Sequence, residues 1–363
     1  MPTSEAVWSA QGTTPDVVEG ALRALLAERH AESGSFLPAR VLNMIVFVDA
    51  QWSGEIANRL RGVGRYAPSR LVVLSYEPGR DRLDARASVA SEDSPAPGRL
   101  ALLRETVIVT LGDRHLDDLP TIADPLVVTD MPTLLWSPHG HREAVDALLE
   151  LAQATLVDSI EEPVWRDALE RACELDEHLY VVDLAWLRST PWRERVAAVY
   201  DPPAMRRELD GLDSVTVRHH PSSTVAGMLL LGWLASRLDW KLDHAEIVSS
   251  DAREGVLSGT ARADGREVAL KLEAAPELTV PGLAGVSLSS SSGLKLVLDR
   301  GPGGLRARRH DPDGREREWT LLGASRGEGG ILGEGIRQAL LRDPTYHPAL
   351  RAAREMLPEG AQA

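Results

Sequence analysis

The chain has 363 residues and a formal net charge of −14, from 54 acidic against 40 basic side chains. That length provides for roughly two or three domains, each able to bury its own core. The acidic excess argues against a nucleic-acid partner, whose phosphates call for clustered Lys and Arg, and the single cysteine, Cys173, excludes an intramolecular disulfide or a cysteine-cluster metal site.

The first residues lack a basic stretch followed by an apolar one, so no signal peptide is expected. An opening helix is predicted from Thr14 as N-cap and Pro15 at the first helical position, with Val18, Leu22, Leu25 and Leu26 on one face. Val41 to Val48 is a continuous apolar run, the mark of a buried strand. Ser53 is placed to cap the next helix, with Ile56 and Leu60 inward. Further strands are predicted at Arg70 to Ser75, Leu83 to Ala90, Glu105 to Leu111, Pro132 to Trp136 and Leu156-Val157. Helices over Asp117 to Val127 and around Val145 to Ala152 alternate with them, and Ser94 to Gly98 reads as a surface loop. Alternation of this kind implies a mixed α/β sheet covered on its faces.

From Glu161 the rhythm becomes helical. Trp165 to Leu175 and Trp192 to Tyr200 are predicted helices, the second capped by Thr190 and started by Pro191. A short strand at Val215 to Val217 precedes a strongly apolar helix to Leu238, capped by Ser222 or Ser223, which should lie at the centre of its domain. Its most apolar part, Val225 to Ala235, is about half the length of a bilayer span. Beyond Asp243 the pattern turns antiparallel. Asp264-Gly265 and Asp311-Pro-Asp-Gly314 mark two hairpin turns, the strand at Leu294 to Leu298 lies between them, and helices at Ile331 to Leu341 and Pro348 to Met356 close the chain.

Catalytic vocabulary is sparse. The first strand-helix connection, Asp49-Ala-Gln-Trp-Ser-Gly54, has no G-x-G-x-x-G, and Gly62 and Gly64 come at the helix end, where they read as C-cap residues. The glycine-rich run Gly327 to Gly335 lacks the Lys-Ser/Thr of a P-loop, carries Glu328 and Glu334, and reads as a mobile linker. His139-Gly-His141 and His219-His220 are the tight histidine pairs; neither sits in a recognised ligand spacing, so they read as surface or loop residues. Ser159 and Ser222-Ser223 stand outside a nucleophile elbow and suit turns and caps. Asp117-Asp118 and Glu161-Glu162 read as solvated charges at helix starts, and Cys173, on an apolar helical stripe, as inert core. Arg306, Arg308, Arg309, Arg315 and Arg317 alternate with Asp311, Asp313, Glu316 and Glu318. That is paired surface charge or, more sharply, a rim that steers an acidic partner. No catalytic, cofactor or metal residue is expected.

The chain has nine tryptophans and only two phenylalanines. Four of the nine fall in two short runs, Asp183-Leu-Ala-Trp186-Leu-Arg-Ser-Thr-Pro-Trp192-Arg193 and Gly232-Trp233 to Leu238-Asp-Trp240. Trp and Arg dominate binding hot spots, which makes Trp186, Arg188, Trp192 and Arg193 the candidates for partner contact. Trp192, Val196 and Val199 also share helical spacing, as core residues would, and Trp233 reads as core.

In their order, these motifs resemble the OpcA family of glucose-6-phosphate dehydrogenase assembly proteins. The matching pieces are Ala39-Arg-Val-Leu-Asn43, Pro68-Ser-Arg70, Asp130-Met-Pro-Thr-Leu-Leu-Trp136 and Val157-Asp-Ser159, then Asp183 to Trp186 with Pro191-Trp192-Arg193, then Gly232-Trp233-Leu with Leu238-Asp-Trp240. Ser137, where a second aromatic is expected, and Met131, where leucine is usual, depart from the pattern. The resemblance implies a non-catalytic, cytoplasmic accessory protein that binds glucose-6-phosphate dehydrogenase in a hetero-oligomer and promotes its assembly and activation, supplying NADPH through the oxidative pentose phosphate pathway. It implies no cofactor, membrane or nucleic acid. Alternatives from other classes are a sugar-phosphate enzyme such as a lactonase and a metabolite-sensing regulator.

The expected fold is an N-terminal mixed α/β sheet domain, a helical segment, and a C-terminal antiparallel β-sheet domain with closing helices. The expected divisions are a helix and linker over 1–35, the α/β domain over 36–160, and a C-terminal α+β domain over 161–363, with helices to 240 and the sheet and closing helices over 241–363.

Overall fold

The computed structural model describes residues 5–32, 36–37, 41–63, 69–91, 101–243, 246–247, 256–322 and 327–357. Gly34, Gly64, Pro68, Ala39-Arg40 and the loop expected at Ser94 to Gly98 lie outside them. Two compact units emerge: Met1–Val157 with His178–Val182 and Glu328–Arg342, and Asp158–Glu177 with Asp183–Gly327 and Asp343–Ala363. The chain therefore passes between units more often than a simple N-to-C division anticipates, and the first 35 residues supply a strand and a helix to the first unit.

In that unit β1 (Glu5–Ala10), α1 (Pro15–Glu32), β2 (Phe36–Leu37), β3 (Leu42–Asp49), α2 (Ala50–Val63), β4 (Ser69–Tyr76), β5 (Asp84–Ser91) and β6 (Ala101–Leu111) come first. Next are α3 (Leu119–Ala123), β7 (Thr133–Trp136), α4 (Arg142–Leu148) and β8 (Ala154–Val157). The strand order is β1-β5-β6-β4-β3-β7-β8-β9, β9 being Tyr180–Asp183 beyond α5 (Trp165–Asp176), with β2 paired to β6. The strands β6, β4, β3, β7 and β8 run parallel, while β1 and β5 add antiparallel edge pairs. β3 is buried along nearly its whole length, as the continuous apolar run requires of a strand covered on both faces. Arg70 and Glu105 are buried too, and survive there as a pair at 2.7 Å, with Glu19 of α1 on the same guanidinium at 3.1 Å.

Several local expectations change. α2 begins at Ala50, directly after β3, so Ser53 lies inside its first turn and donates back to the Ala50 carbonyl at 2.9 Å rather than capping it. The helix expected over Asp117 to Val127 is broken into α3 and flanking 3-10 turns, as Pro125 cannot supply a helical N–H. β1, with its weak alternation of short and polar residues, carries no sequence signal strong enough to read.

The second unit continues with α6 (Leu184–Arg188), α7 (Thr190–Tyr200), α8 (Pro203–Asp210), β10 (Leu212–His219) and α9 (Thr224–Arg237). Its sheet adds β11 (Lys241–Leu242), β12 (Glu246–Ile247), β13 (Val256–Ala263), β14 (Arg266–Ala274), β15 (Leu283–Ser290), β16 (Lys295–Gly301), β17 (Gly304–His310) and β18 (Glu316–Leu322). The order is β11-β13-β14-β10-β15-β16-β17-β18, with β12 paired to β13. Both hairpin turns form where expected, Asp264 and Gly265 taking φ of +48° and +79°, the left-handed pair a two-residue hairpin needs. β10 and β14 are parallel, a departure from the antiparallel pattern.

Alternate residues of this sheet are buried, while Thr216, Arg218, Ser287, Val297, Asp299 and Arg308 on the other face stay partly exposed. α9 lies on the buried face, as its composition predicts. A Cβ at Gly227 would meet Leu272 at 2.7 Å, and one at Gly232 would meet the Ala349 carbonyl of α11 (Tyr346–Glu355) at 2.2 Å. The helix is apolar all round because the sheet takes one side and α11 another. Cys173 is buried, which pushes its thiol up to about 11, in keeping with an inert core sulfur.

The run Gly327 to Gly335 is no linker. It opens α10 (Gly327–Leu341), which from Glu328 on belongs to the first unit and buries Ile331, Leu332, Gly333, Gly335 and Ile336. Its glycines cost helix propensity, and burial of the apolar stripe between them overrides that cost.

Candidate functional site

The two runs Val157-Asp-Ser159 and Asp183 to Arg193, far apart in sequence, interlock in the second unit. Asp183 N-caps α6, accepting the Ala185 N–H at 2.8 Å, and also receives the Ser159 hydroxyl. Its carboxyl is buried away from water, which pushes it up to about 6. Asp158 accepts both terminal nitrogens of Arg188, at 2.8 and 2.7 Å, a bidentate pair that fixes the far end of α6.

Trp186 stands at the centre of this joint and is 2% exposed. Its indole N–H donates to Asp343 at 2.9 Å, and its ring meets Tyr346 edge-on with centroids 5.5 Å apart. The Arg193 guanidinium carbon lies 3.4 Å from the indole centroid, a cation–π stack. Arg193 also donates to the Trp186 carbonyl at 3.2 Å and to the Thr190 hydroxyl at 2.9 Å. Burial lowers its guanidinium to about 10, so it stays charged at neutral pH. For Asp343, burial pulls upward, but hydrogen bonds from Thr345 and Trp186 and the Arg193 charge outweigh it and hold the carboxyl below its usual range.

Trp186, Trp192 and Arg193 are therefore interior, at 2%, 4% and 8% exposure, and Arg188 is committed to Asp158. That burial leaves them little surface for direct partner contact. The donors of Trp186, Arg188 and Arg193 are engaged within the chain, and Trp192 is buried. Trp233, expected in the core, is half-buried instead. The partners Asp158, Asp343 and Tyr346 were beyond sequence reasoning, since the Trp186–Asp343 bond spans 157 residues.

The hairpin arginines follow the paired-charge reading. Arg308 pairs with Asp299 at 2.9 Å, Arg309 with Asp311 at 2.8 Å, Arg306 with Glu318 at 3.3 Å, Arg315 with Asp313 at 3.2 Å, and Arg317 with Asp311 at 3.8 Å.

In the first unit the carboxyl ends of the parallel strands form a second polar cluster, where α/β folds take their ligands. Asp49 ends β3, and its carboxylate lies 3.2 Å from His141 Nε2. Tyr76 ends β4 and donates to Asp113, which also accepts the Gly79 N–H at 2.8 Å. That bond raises the phenol and lowers the carboxyl. His139 lies beside Trp52, which is 43% exposed. Since α2 starts directly after Asp49, no glycine turn is left to cradle a pyrophosphate, and a carboxylate stands at the helix start. His219 is buried under α9 and His220 accepts the Ser222 N–H, so that pair is core plus cap rather than surface. No group of three His, Cys, Asp or Glu suited to a metal occurs among the described residues.

Two family models match in succession. Residues 62–174 match the glucose-6-phosphate dehydrogenase subunit N-terminal domain, and residues 179–350 the C-terminal domain of the same subunit. The chain belongs to the OpcA family. The interlocked joint draws on both OpcA domains, Asp158 and Ser159 from the first and Asp183 to Arg193 from the second. Among curated OpcA relatives, the OxPP cycle protein of Synechocystis is 29% identical over 129 residues, 34% of this chain and 27% of that protein. That of Nostoc punctiforme is 27% identical over 179 residues, 48% of this chain and 38% of that protein. The chain thus spans less than half the length of these OpcA relatives.

Solved structures of lower similarity include an oxidoreductase domain protein from Kribbella flavida, 14% identical with a TM-score of 0.42 over 89% of this chain and 92% of that one. Another is apo scyllo-inositol dehydrogenase from Lactobacillus casei, 11% identical with a TM-score of 0.46 over 88% and 96%. At that level neither activity nor cofactor carries over to the OpcA chain. Among the described residues, no helix is long and apolar enough to cross a membrane.

Proposed function

We propose that this chain is a non-catalytic, cytoplasmic accessory subunit that binds glucose-6-phosphate dehydrogenase and raises its active population, feeding the oxidative pentose phosphate pathway. The observation that carries this reading is the succession of two domain matches, both described as parts of a glucose-6-phosphate dehydrogenase subunit. Binding one state of the enzyme more tightly than another is sufficient. A tenfold gain in apparent substrate affinity requires only about 1.4 kcal/mol of differential binding.

The burial of Trp186, Trp192 and Arg193 favours a contact surface elsewhere. The open face of the second unit's sheet is our candidate. It is broad and regular, and Arg218 and Arg308 both hold Asp299 on it. Ser287 faces outward between Thr216 and Val297.

The test combines the purified chain with the dehydrogenase of the same organism and measures assembly size and glucose 6-phosphate saturation together. A joint species and a lower half-saturation are expected. No change in either quantity overturns the proposal. Ser287→Arg, which adds bulk and charge to the open face alone, should weaken the joint species; retained assembly would move the contact off this face.

A further inference from the structure

Seven strands, from β13 to β18 in sheet order, give the open face of the second unit its width, and β15 is the middle one. The residues that β15 turns to this face, Gly285, Ser287 and Ser289, are small. Register lines the outward residues up in rows across the strands. In one row Glu273 and Arg218 stand on one side of Gly285, and Asp299 and Arg306 on the other. The row ends in uncharged Val256 and Thr320. A Cβ at Gly285 would collide with the Arg218 guanidinium and the Asp299 carboxylate, so that ion pair lies flat across the middle strand.

A sheet face that meets only water needs polar residues but no order among their charges. Here the order is negative, positive, neutral, negative, positive, so a two-fold axis along β15 sets every charge of the row against its opposite. A second copy laid face to face about that axis brings β10 opposite β16 and β14 opposite β17. Arg218 then meets Asp299 of the second copy, Glu273 meets its Arg306, and Ser287 meets its Ser287. In the next row Lys271 comes opposite Arg308, but each is already neutralised within its own chain, by Glu273 at 2.6 Å and Asp299 at 2.9 Å. Acids and bases nearly balance along these rows in a chain of net charge −14, so this is a face on which two copies can approach without strong repulsion. Its extent, roughly 29 Å by 24 Å from strand spacing and rise, amounts to about 700 Å² per copy, near the ~800 Å² per partner of a standard-size interface.

We propose that the open face pairs two copies of this chain, sheet against sheet, about a two-fold axis along β15. The small residues on that strand let the two sheets approach to the usual separation of packed sheets. An isologous contact of this kind uses the same patch on both copies and therefore closes at the dimer. The face holds one occupant at a time, so self-pairing competes with the dehydrogenase contact placed on it. That consequence rests on the accessory reading; the pairing itself does not.

The experiment is sedimentation velocity of the intact chain, without any dehydrogenase, over a concentration series reaching about 100 μM. The parent should pass from monomer to dimer within the series. Glu273→Arg and Arg306→Glu, both at side chains that reach solvent, each set like charges against each other at two symmetric places. Each alone should weaken pairing at least about tenfold. An equimolar mixture of the two variants should recover it, since each then offers the charge the other lacks. Ser287→Arg sets two guanidiniums against each other on the axis and should give monomers at every concentration. Three results would overturn the assignment: a parent that stays monomeric throughout, pairing unchanged in both charge variants, or a mixture that associates no better than its components. Because no dehydrogenase is present, failure here leaves the accessory reading untouched, and failure of complex formation with the dehydrogenase leaves this pairing untouched.

Discussion

Arginine beside an aromatic or acidic neighbour occurs in two parts of the second unit, with opposite consequences. In the joint around Trp186, Arg193 is 8% exposed, stacks on the indole and shares Asp343 with it. In the β17–β18 hairpin, Arg306, Arg315 and Arg317 reach carboxylates from side chains more than half exposed. The residue types are alike, but the dielectric is not. A charge held away from water depends on its few partners, and removing one strands the rest, whereas an exposed pair exchanges one partner for solvent at little cost. Composition identifies groups able to bind. Whether they bind another protein or the interior of their own is decided by what surrounds them.

The largest expected effect comes from the interior joint. Trp186→Ala removes a fully buried indole, its bond to Asp343 and the surface on which Arg193 stacks. A loss of about 3–5 kcal/mol in urea unfolding is expected, and a loss under 1 kcal/mol would place the joint in the same class as the hairpin. Asp183 offers a pH readout of the same contrast. Its folded value, raised by burial to about 6, means the folded state is penalised for ionising it. The penalty is absent below about pH 4, grows to about 3 kcal/mol as pH rises to 6, and is constant above that. Asp183→Asn should therefore gain stability relative to the parent through that window, as measured by chemical denaturation at a series of pH values, and parallel profiles would contradict it.

A smaller effect is expected for Arg188→Ala. Its bidentate pair with Asp158 is only partly shielded, the arginine side chain being 19% exposed, so about 1–2 kcal/mol is expected in the same unfolding assay. Arg317→Ala in the hairpin should change stability by less than about 0.5 kcal/mol. A cost as large as that of Arg188→Ala would show that the hairpin charges act as a network rather than as separate exposed pairs.

Legibility followed signal strength. The run from Leu42 to Val48, the Asp264-Gly265 turn and the apolar stretch of α9 each carry several residues pointing to one answer, and each formed as expected. β1 and β15 were missed because small residues such as Ala, Gly and Ser supply little periodicity, and β9 because four residues, Tyr180–Asp183, are too few to show one; pairing with neighbours makes them strands. The glycine-rich start of α10 misled for the converse reason, since propensity opposed helix while burial of Ile331, Leu332 and Ile336 favoured it.

The sequence by itself determined the class of fold, the family and the absence of a glycine turn after β3, because each rests on local pattern or on motifs in fixed order. Tertiary structure alone decided that Trp186 and Arg193 face inward, since their partners Asp343 and Tyr346 are brought to them only by folding across more than a hundred residues. It also set Glu273, Arg218, Asp299 and Arg306 in one row across the open face of the second sheet. That arrangement is a product of register among several strands, and register depends on which residues the opposite face must bury.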